Sequence, residues 1–366
     1  ILTPADDPIG SAQVLNISQS ASLNTQYATN RNSASSSLGL VENVLQGVTT
    51  LIQNVHTATV SAGNPILSDT DRKSIATELR GRLDELIGLA NTTDKSEQFL
   101  FSGFQGNTKP FTRSASGVQY NGDQGQRLTQ VSATRQLAAS DSGSNIFERI
   151  KNGNGVFTTT ANSTNVGTGI VDTGLVATPA SLTGDNYQIT FSVAGVTTYD
   201  ILDTTTGTPV SAGNPYTNGN AINFDGIQFS ISGAPKNGDQ FTVAPSTNQS
   251  LFKTIDDLIS VLETPASGQP GGTVLTNGLN TALKNLDHGL DHILSVRSSV
   301  GARLQEIDSL ESVGSDLDIQ FQQTLSQLQD VDLAEAISTL TRQQLFLEAA
   351  QKSFTTISRL SLFEFL

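Results

Sequence analysis

Cysteine, methionine and tryptophan are all missing from this 366-residue chain. Without cysteine there are no disulfides, thiolate metal sites or cysteine nucleophiles, so stability has to come from packing alone. Position 1 is Ile rather than an initiator Met, which leads us to expect processing or trimming ahead of it. Charged residues are scarce at 15%. Among them 34 Asp and Glu outnumber 20 Lys and Arg, a net of −14 that repels phosphate backbones and anionic membranes. Neither nucleic acid nor membrane is expected as a partner, and no apolar run approaches the roughly 20 residues that span a bilayer. The polar positions hold mostly Ser, Thr, Asn, Gln and Gly, a balance commoner in secreted proteins than in cytosolic enzymes.

What is present is mainly helical periodicity at the two chain ends. After Thr3-Pro4-Ala5-Asp6-Asp7-Pro8, apolar residues recur three and four apart through Val14, Ile17, Ala21, Ala28, Leu38, Val41, Leu45, Val48, Ile52 and Val55. That spacing predicts one helix far longer than usual. Gly63-Asn64-Pro65 breaks it, and Ser68-Asp69-Thr70-Asp71 caps a second helix with a stripe of Ile75, Leu79, Leu83, Leu86, Ile87 and Leu89. Phe99, Leu100, Phe101 and Phe104 are expected to close this helical pair.

From Lys109 the period shortens. Alternating runs at 118–120, 127–131 and 136–138 suggest a small β element over 105–150, with a brief helical run at 146–150. Gly, Thr, Asn and Ser then enrich a stretch with strands expected at 187–193, 196–202, 222–231 and 241–243, an outer all-β domain over 151–249. Gly184-Asp185-Asn186-Tyr187 and Gly238-Asp239-Gln240-Phe241 echo each other as strand openings. Helix resumes at Ser250 and ends at Thr264-Pro265. A further long helix then carries Leu279, Leu283, Leu286, Leu290, Ile293, Val300, Leu304, Ile307, Leu317, Phe321, Leu325 and Leu328. The expected fold is α+β and multidomain: a long antiparallel helical bundle from both chain ends (1–104 and 250–330) with an inserted all-β domain.

The last segment, 330–366, stands apart. Leu333, Leu340, Leu347 and Phe354 recur every seven residues, with Ala336, Gln343, Ala350 and Ile357 three places after each, the seam of a helix that needs a partner. Leu360, Leu362, Phe363, Phe365 and Leu366 crowd the end, an aggregation hazard unless another molecule covers them. These ten apolar residues, Leu333, Leu340, Leu347, Phe354, Ile357 and the terminal five, are the candidate assembly interface.

Other chemistry is weak. His288 and His292 stand four apart beside Asp287 and Asp291, a spacing that can bind zinc, but no third ligand follows; His56 adjoins the seam residue Val55. Asn121-Gly122-Asp123, Asp225-Gly226 and Asn237-Gly238-Asp239 lack the ligand spacing of a calcium loop and read as turns. Gly153-Asn154-Gly155 has no strand-to-helix setting for a phosphate cradle. No catalytic, cofactor or metal residue is expected, and the chain is not read as an enzyme.

Ala5-Asp6-Asp7-Pro8 leading into a Gln/Asn-rich heptad helix, Phe99-Leu100-Phe101-Ser102-Gly103 closing the second helix, and the ending Leu360-Ser361-Leu362-Phe363-Glu364-Phe365-Leu366 together resemble the flagellin and hook-associated family of bacterial flagella. The resemblance covers both helical ends, roughly 200 residues; the β region resembles the family only loosely. It implies a structural role outside the cell, at the junction of hook and filament. It also implies export by the flagellar type III route without a cleavable signal peptide. The partners it implies are copies of the chain, the hook-proximal junction protein, the flagellin filament, the export apparatus and an export chaperone. Family members begin with a further N-terminal helix that pairs with the C-terminal one, so the mate of the 330–366 seam is expected ahead of Ile1. A surface adhesin or fibre, with a ligand-binding β domain on a coiled-coil stalk, is the alternative.

Overall fold

A computed structural model of the chain describes residues 8–115, 117–266, 268, 271–330 and 333–359. Helices are α1 (Pro8–Ala62), α2 (Asp69–Ala90), α3 (Gly143–Phe147), α4 (Leu251–Glu263), α5 (Gly271–Gln329) and α6 (Leu333–Arg359). Strands of the first half are β1 (Phe111–Ser114), β2 (Gly117–Tyr120), β3 (Leu128–Ser132), β4 (Arg135–Ala138), β5 (Ile150–Lys151), β6 (Phe157–Ala161), β7 (Ile170–Val171) and β8 (Leu175–Val176). Those of the second half are β9 (Tyr187–Ala194), β10 (Val196–Asp203), β11 (Pro209–Pro215), β12 (Ala221–Phe224), β13 (Ile227–Ser232), β14 (Gln240–Pro245) and β15 (Asn248–Gln249).

The helix starts follow local chemistry. Pro8 opens α1, where its missing N–H costs nothing. Ser68 and Asp71 form a reciprocal capping box at α2: the Asp71 N–H donates to Ser68 Oγ (3.2 Å) and the Ser68 N–H to Asp71 Oδ2 (2.9 Å). The Ser68 hydroxyl and N–H hold the Asp71 carboxyl below the usual carboxylate range. Along α1 the many Ser and Thr hydroxyls bond back four residues, as Thr49 to the Leu45 carbonyl (2.8 Å) and Thr59 to that of Val55 (2.7 Å), which satisfies them inside a helix.

The chain divides into two compact units, one of Ile1–Arg31, Val131–Ala133 and Asp308–Leu366, the other of Asn32–Gln130 and Thr134–Ile307. In the second unit the seam residues Leu38, Val41, Leu45, Val48, Ile52 and Val55 of α1, Leu79, Leu83 and Leu86 of α2, Ile255, Leu258 and Leu262 of α4, and Leu286, Ile293 and Val300 of α5 are all buried. Gly278 and Gly289 on α5, eleven residues apart and so on one face, make room for Val261 and Leu251 of α4. Phe101, Phe111, Phe147 and Phe252 are also buried there. Phe147 packs edge-on against both Phe101 (5.5 Å) and Phe111 (5.4 Å).

The outer domain belongs to the same unit and pairs a five-stranded sheet in the order β11-β10-β9-β14-β6 with a smaller one, β12-β13-β7, to which β8 adds beside β13. Its core alternates along each strand: Tyr187, Ile189 and Phe191 of β9 and Phe241 and Val243 of β14 face Ile227, Phe229 and Ile231 of β13. The echoed Gly-Asp turns do feed equivalent places, since β9 and β14 are adjacent interior strands and both Gly184 and Gly238 take positive φ.

Four expectations need correcting. The stretch 222–231 is a hairpin rather than one strand, because Asp225 (φ 43°) and Gly226 (φ 77°) together make the tight turn that joins twisted strands. The β element of 105–150 is two separate hairpins, β1–β2 and β3–β4. Phe104 closes nothing: it is exposed and lies over Gly125. Leu317, read as a seam residue, is exposed, and Leu304 is only half-buried.

Candidate assembly interface

Helix α6 forms from strong helix formers without an internal Gly or Pro, and at 27 residues it exceeds the length at which isolated helices become marginal. Every one of its residues from Leu333 to Ser358 is exposed. Of the candidate interface, Leu333, Leu340, Leu347, Phe354 and Ile357 lie on this helix, with exposures from 56% to 73%. Leu360, Leu362, Phe363, Phe365 and Leu366 lie outside the described residues.

The apolar surface of α6 is wider than the heptad seam. Ile337 and Phe346 are exposed as well, and at about 100° per residue they extend the band of Leu333, Leu340, Leu347, Phe354 and Ile357 to roughly half the circumference, with Leu345 alone opposite. Heptad counting missed Ile337, Leu345 and Phe346 because they fall outside its a and d positions. A half-circumference band suits a helix that touches more than one neighbour. Each large side chain removed from water contributes about 1.5–3 kcal/mol.

Among the described residues no other arrangement offers chemistry of a different kind. His292 Nε2 lies 2.8 Å from the Asn145 carbonyl oxygen, and His56 faces Asp287 at 3.5 Å. His288 Nε2 is buried without a hydrogen-bond partner, and its ring lies beside Gly155. Among the described residues no group of three or more His, Cys, Asp or Glu could hold a metal ion. The carboxylates of the suspected loops are engaged by donors of the chain itself, Asp225 by the Tyr187 hydroxyl (2.9 Å) and the other two mainly by backbone N–H groups. Asp239 accepts from the N–H groups of Val166, Gly167 and Lys236 at 2.9, 3.0 and 2.8 Å. Asp123 accepts from those of Phe104 (3.0 Å) and Gly125 (2.7 Å), which hold its carboxyl below the usual range.

A cleft of about 330 Å³ lies where the outer domain meets α4 and α5, lined by Asn162, Asn165, Thr160, Thr281 and Asp257 among others. At this cleft Asn277 of α5 extends the edge of β7, donating to the Gly169 carbonyl (3.1 Å) and accepting from the Val171 N–H (3.0 Å). Asn285, two turns on, accepts from the Gly153 N–H (3.0 Å). These side chains clip the outer domain to the helix, and nothing in the sequence pattern marked them.

Residues 1–106 match the family described as the bacterial flagellin N-terminal helical region. Flagellar hook-associated protein 3 of Escherichia coli strain K12 is 30% identical over 365 residues, spanning 100% of this chain and 88% of that protein. The chain belongs to the flagellar hook-associated protein 3 family. Its fold agrees with the crystal structure of flagellar hook associated protein-3 from Legionella pneumophila, at 33% identity and a TM-score of 0.83 over 87% of this chain and 100% of that one. FlgL of Xanthomonas campestris gives 32% identity and a TM-score of 0.79 over 85% of this chain and 99% of that one. The outer domain, which sequence reading placed only loosely within the resemblance, matches at residues 160–245 the D2-like domain described for flagellar hook-associated protein 1. Membership gives the chain a structural role in the bacterial flagellum, at the junction of hook and filament, and sets aside the adhesin or fibre reading.

Proposed function

We propose that the chain forms the hook–filament junction by self-assembly through its terminal helices, with the apolar band of α6 as the element buried on assembly. The observation that carries this reading is a helix of 27 residues exposed on every side yet bearing eight large apolar side chains, Leu333, Ile337, Leu340, Leu345, Phe346, Leu347, Phe354 and Ile357. A surface of that size in water marks an interaction site. Neighbouring copies and the family's N-terminal helix cover it, and the apolar residues Leu360, Leu362, Phe363, Phe365 and Leu366 that follow in sequence are assigned to the same interface. The hook-proximal junction protein lies on one side and the flagellin filament on the other. The subunit reaches this place outside the cell through the flagellar export apparatus with an export chaperone. Its work is binding rather than catalysis, and the outer β domain is a separable module carried on the helical base.

Leu347→Asp with Phe354→Asp in the full-length protein tests this. The helical and β signals of the purified variant should be unchanged, since both side chains are exposed. Cells carrying it should shed flagellin into the medium instead of growing filaments. Wild-type filaments and motility at normal secreted levels would show that α6 is not the assembly element.

A further inference from the structure

The unit containing the first part of α1 and the last part of α5 has an uneven charge distribution. From Pro8 to Asn30, α1 carries no charged side chain at all, in a protein of net charge −14. From Asp308 to Gln329, α5 carries Asp308, Glu311, Asp316 and Asp318 and no Lys or Arg. Within this unit the two segments run antiparallel: Arg31 Nε meets Glu311 Oε2 at 2.6 Å, and Asn24 Nδ2 donates to the Gly314 carbonyl at 2.7 Å. Gly314 is small because Arg31 occupies the space a Cβ would take. The paired residue numbers sum to about 340, so Leu23 stands level with Leu317.

Both segments also carry apolar side chains on their outer faces. On α1, Leu15, Gln19, Leu23 and Gln26 share one exposed face at spacings of four, four and three. On α5, Val313, Leu317 and Gln320 do the same, with Asp316 beside them. The shared seam itself is half open: Val14, Ile17 and Ala21 opposite Phe321, Leu325 and Leu328 are all only partly buried.

We infer that the Leu15–Gln26 face of α1 receives the Val313–Leu317–Gln320 face of α5 from a second copy of this chain. The inference rests on the self-assembly reading above and assigns the faces that meet. Two copies of net −14 repel, and within a Debye length of about 8 Å salt does not remove that repulsion. An α5–α5 contact sets acidic rows against each other. An α1–α1 contact is free of charge but two-fold, so it closes a dimer and leaves Val313 and Leu317 in water, whereas a contact between unlike faces repeats from copy to copy. The α1 face brings no carboxylate, covers the apolar pair with Leu15 and Leu23, and offers the amides of Gln19 and Gln26 to Asp316.

The absence of native cysteine makes cross-linking a direct test. Cells lacking their own copy would express two single variants of the full-length protein, Leu23→Cys and Leu317→Cys, and isolated flagella would be oxidised and run on a non-reducing gel. A covalent dimer is expected only when both variants are present, and not when Lys73→Cys replaces Leu23→Cys. A dimer from Leu23→Cys alone overturns the inference, as does the absence of any dimer in flagella that contain both variants. If the pair disturbs assembly, Gln19→Cys with Gln320→Cys, exposed on the same two faces and again level, serves the same purpose. Independently, Leu23→Glu should reduce attached filaments at least tenfold with unchanged circular dichroism, and Asp316→Lys should restore them; wild-type filament numbers for Leu23→Glu overturn the inference. The self-assembly reading fails separately, through the α6 double variant, so the two failures are distinguishable.

Discussion

Asp141→Ala should be among the most destabilising single changes outside the apolar core. Asp141 is 5% exposed and sits in the turn that leads into α3. One carboxylate oxygen accepts from Gln126 Nε2 (2.8 Å) and the other pairs with Arg303 of α5, whose Nη1 also donates to the Ala138 carbonyl (3.0 Å). The side chains of this pair are 8% and 14% exposed, so removing Asp141 strands a guanidinium where water reaches it poorly. Losing one partner of such a buried pair costs about 3 kcal/mol. A second ion pair to α5, from the neighbouring β3–β4 hairpin, provides the control. Arg135 meets Glu306 through two hydrogen bonds, but the two side chains are 54% and 33% exposed, so in Arg135→Ala water readily replaces the lost guanidinium at Glu306. Urea unfolding followed at 222 nm should therefore show a large midpoint shift for Asp141→Ala and almost none for Arg135→Ala. Replacing both members, Asp141→Leu with Arg303→Met, should recover much of the loss, because the charge is gone along with its partner. Equal shifts for Asp141→Ala and Arg135→Ala would refute the reasoning, since they would mean that burial does not separate the two pairs.

The glycines of α5 predict opposite signs for one substitution: Gly301→Ala, with nothing within 4 Å of the added Cβ, should stabilise by up to about 1 kcal/mol, whereas Gly289→Ala, directed into Leu251 of α4, should destabilise. Thermal melts of the two variants give the answer. Burial pushes the Tyr120 and Tyr187 phenols up to about 12, with burial also raising Tyr199 and Tyr216. A folded pKa above the unfolded one means stability that is complete below about pH 10 and declines as pH rises towards 12. Absorbance at 295 nm should then rise together with loss of structure, and phenolates that titrate near pH 10 in an intact fold would contradict it. Deleting 151–244 with a short glycine bridge should leave the helical signal and its cooperative unfolding in place, because Asn277 and Asn285 become polar groups open to water; a broad, non-cooperative transition would count against a separable outer domain.

Sequence alone was enough for the long helices and about half of the strands. A heptad of large apolar residues has one helical solution, so α1, α2, α4 and α5 follow from the spacing of residues such as Leu38, Leu45, Ile52, Leu79 and Leu286, and the capping box at Ser68 from its own letters. Alternation was similarly sufficient for β9 and β10. Strands β1, β5, β6, β7, β8, β11 and β15 were not legible, because runs rich in Thr, Gly and polar residues become strand only when a partner supplies the ladder. Polar pairing was equally invisible. Arg31 and Glu311, Arg303 and Asp141, and Asn277 and β7 lie 280, 162 and more than 100 residues apart, and nothing local distinguishes these side chains from their solvated neighbours. Exposure, too, was decided by the tertiary structure. The same apolar spacing that buries Leu45 leaves Leu347 and Leu317 in water, because periodicity specifies a face while only the surrounding chain determines whether that face is covered.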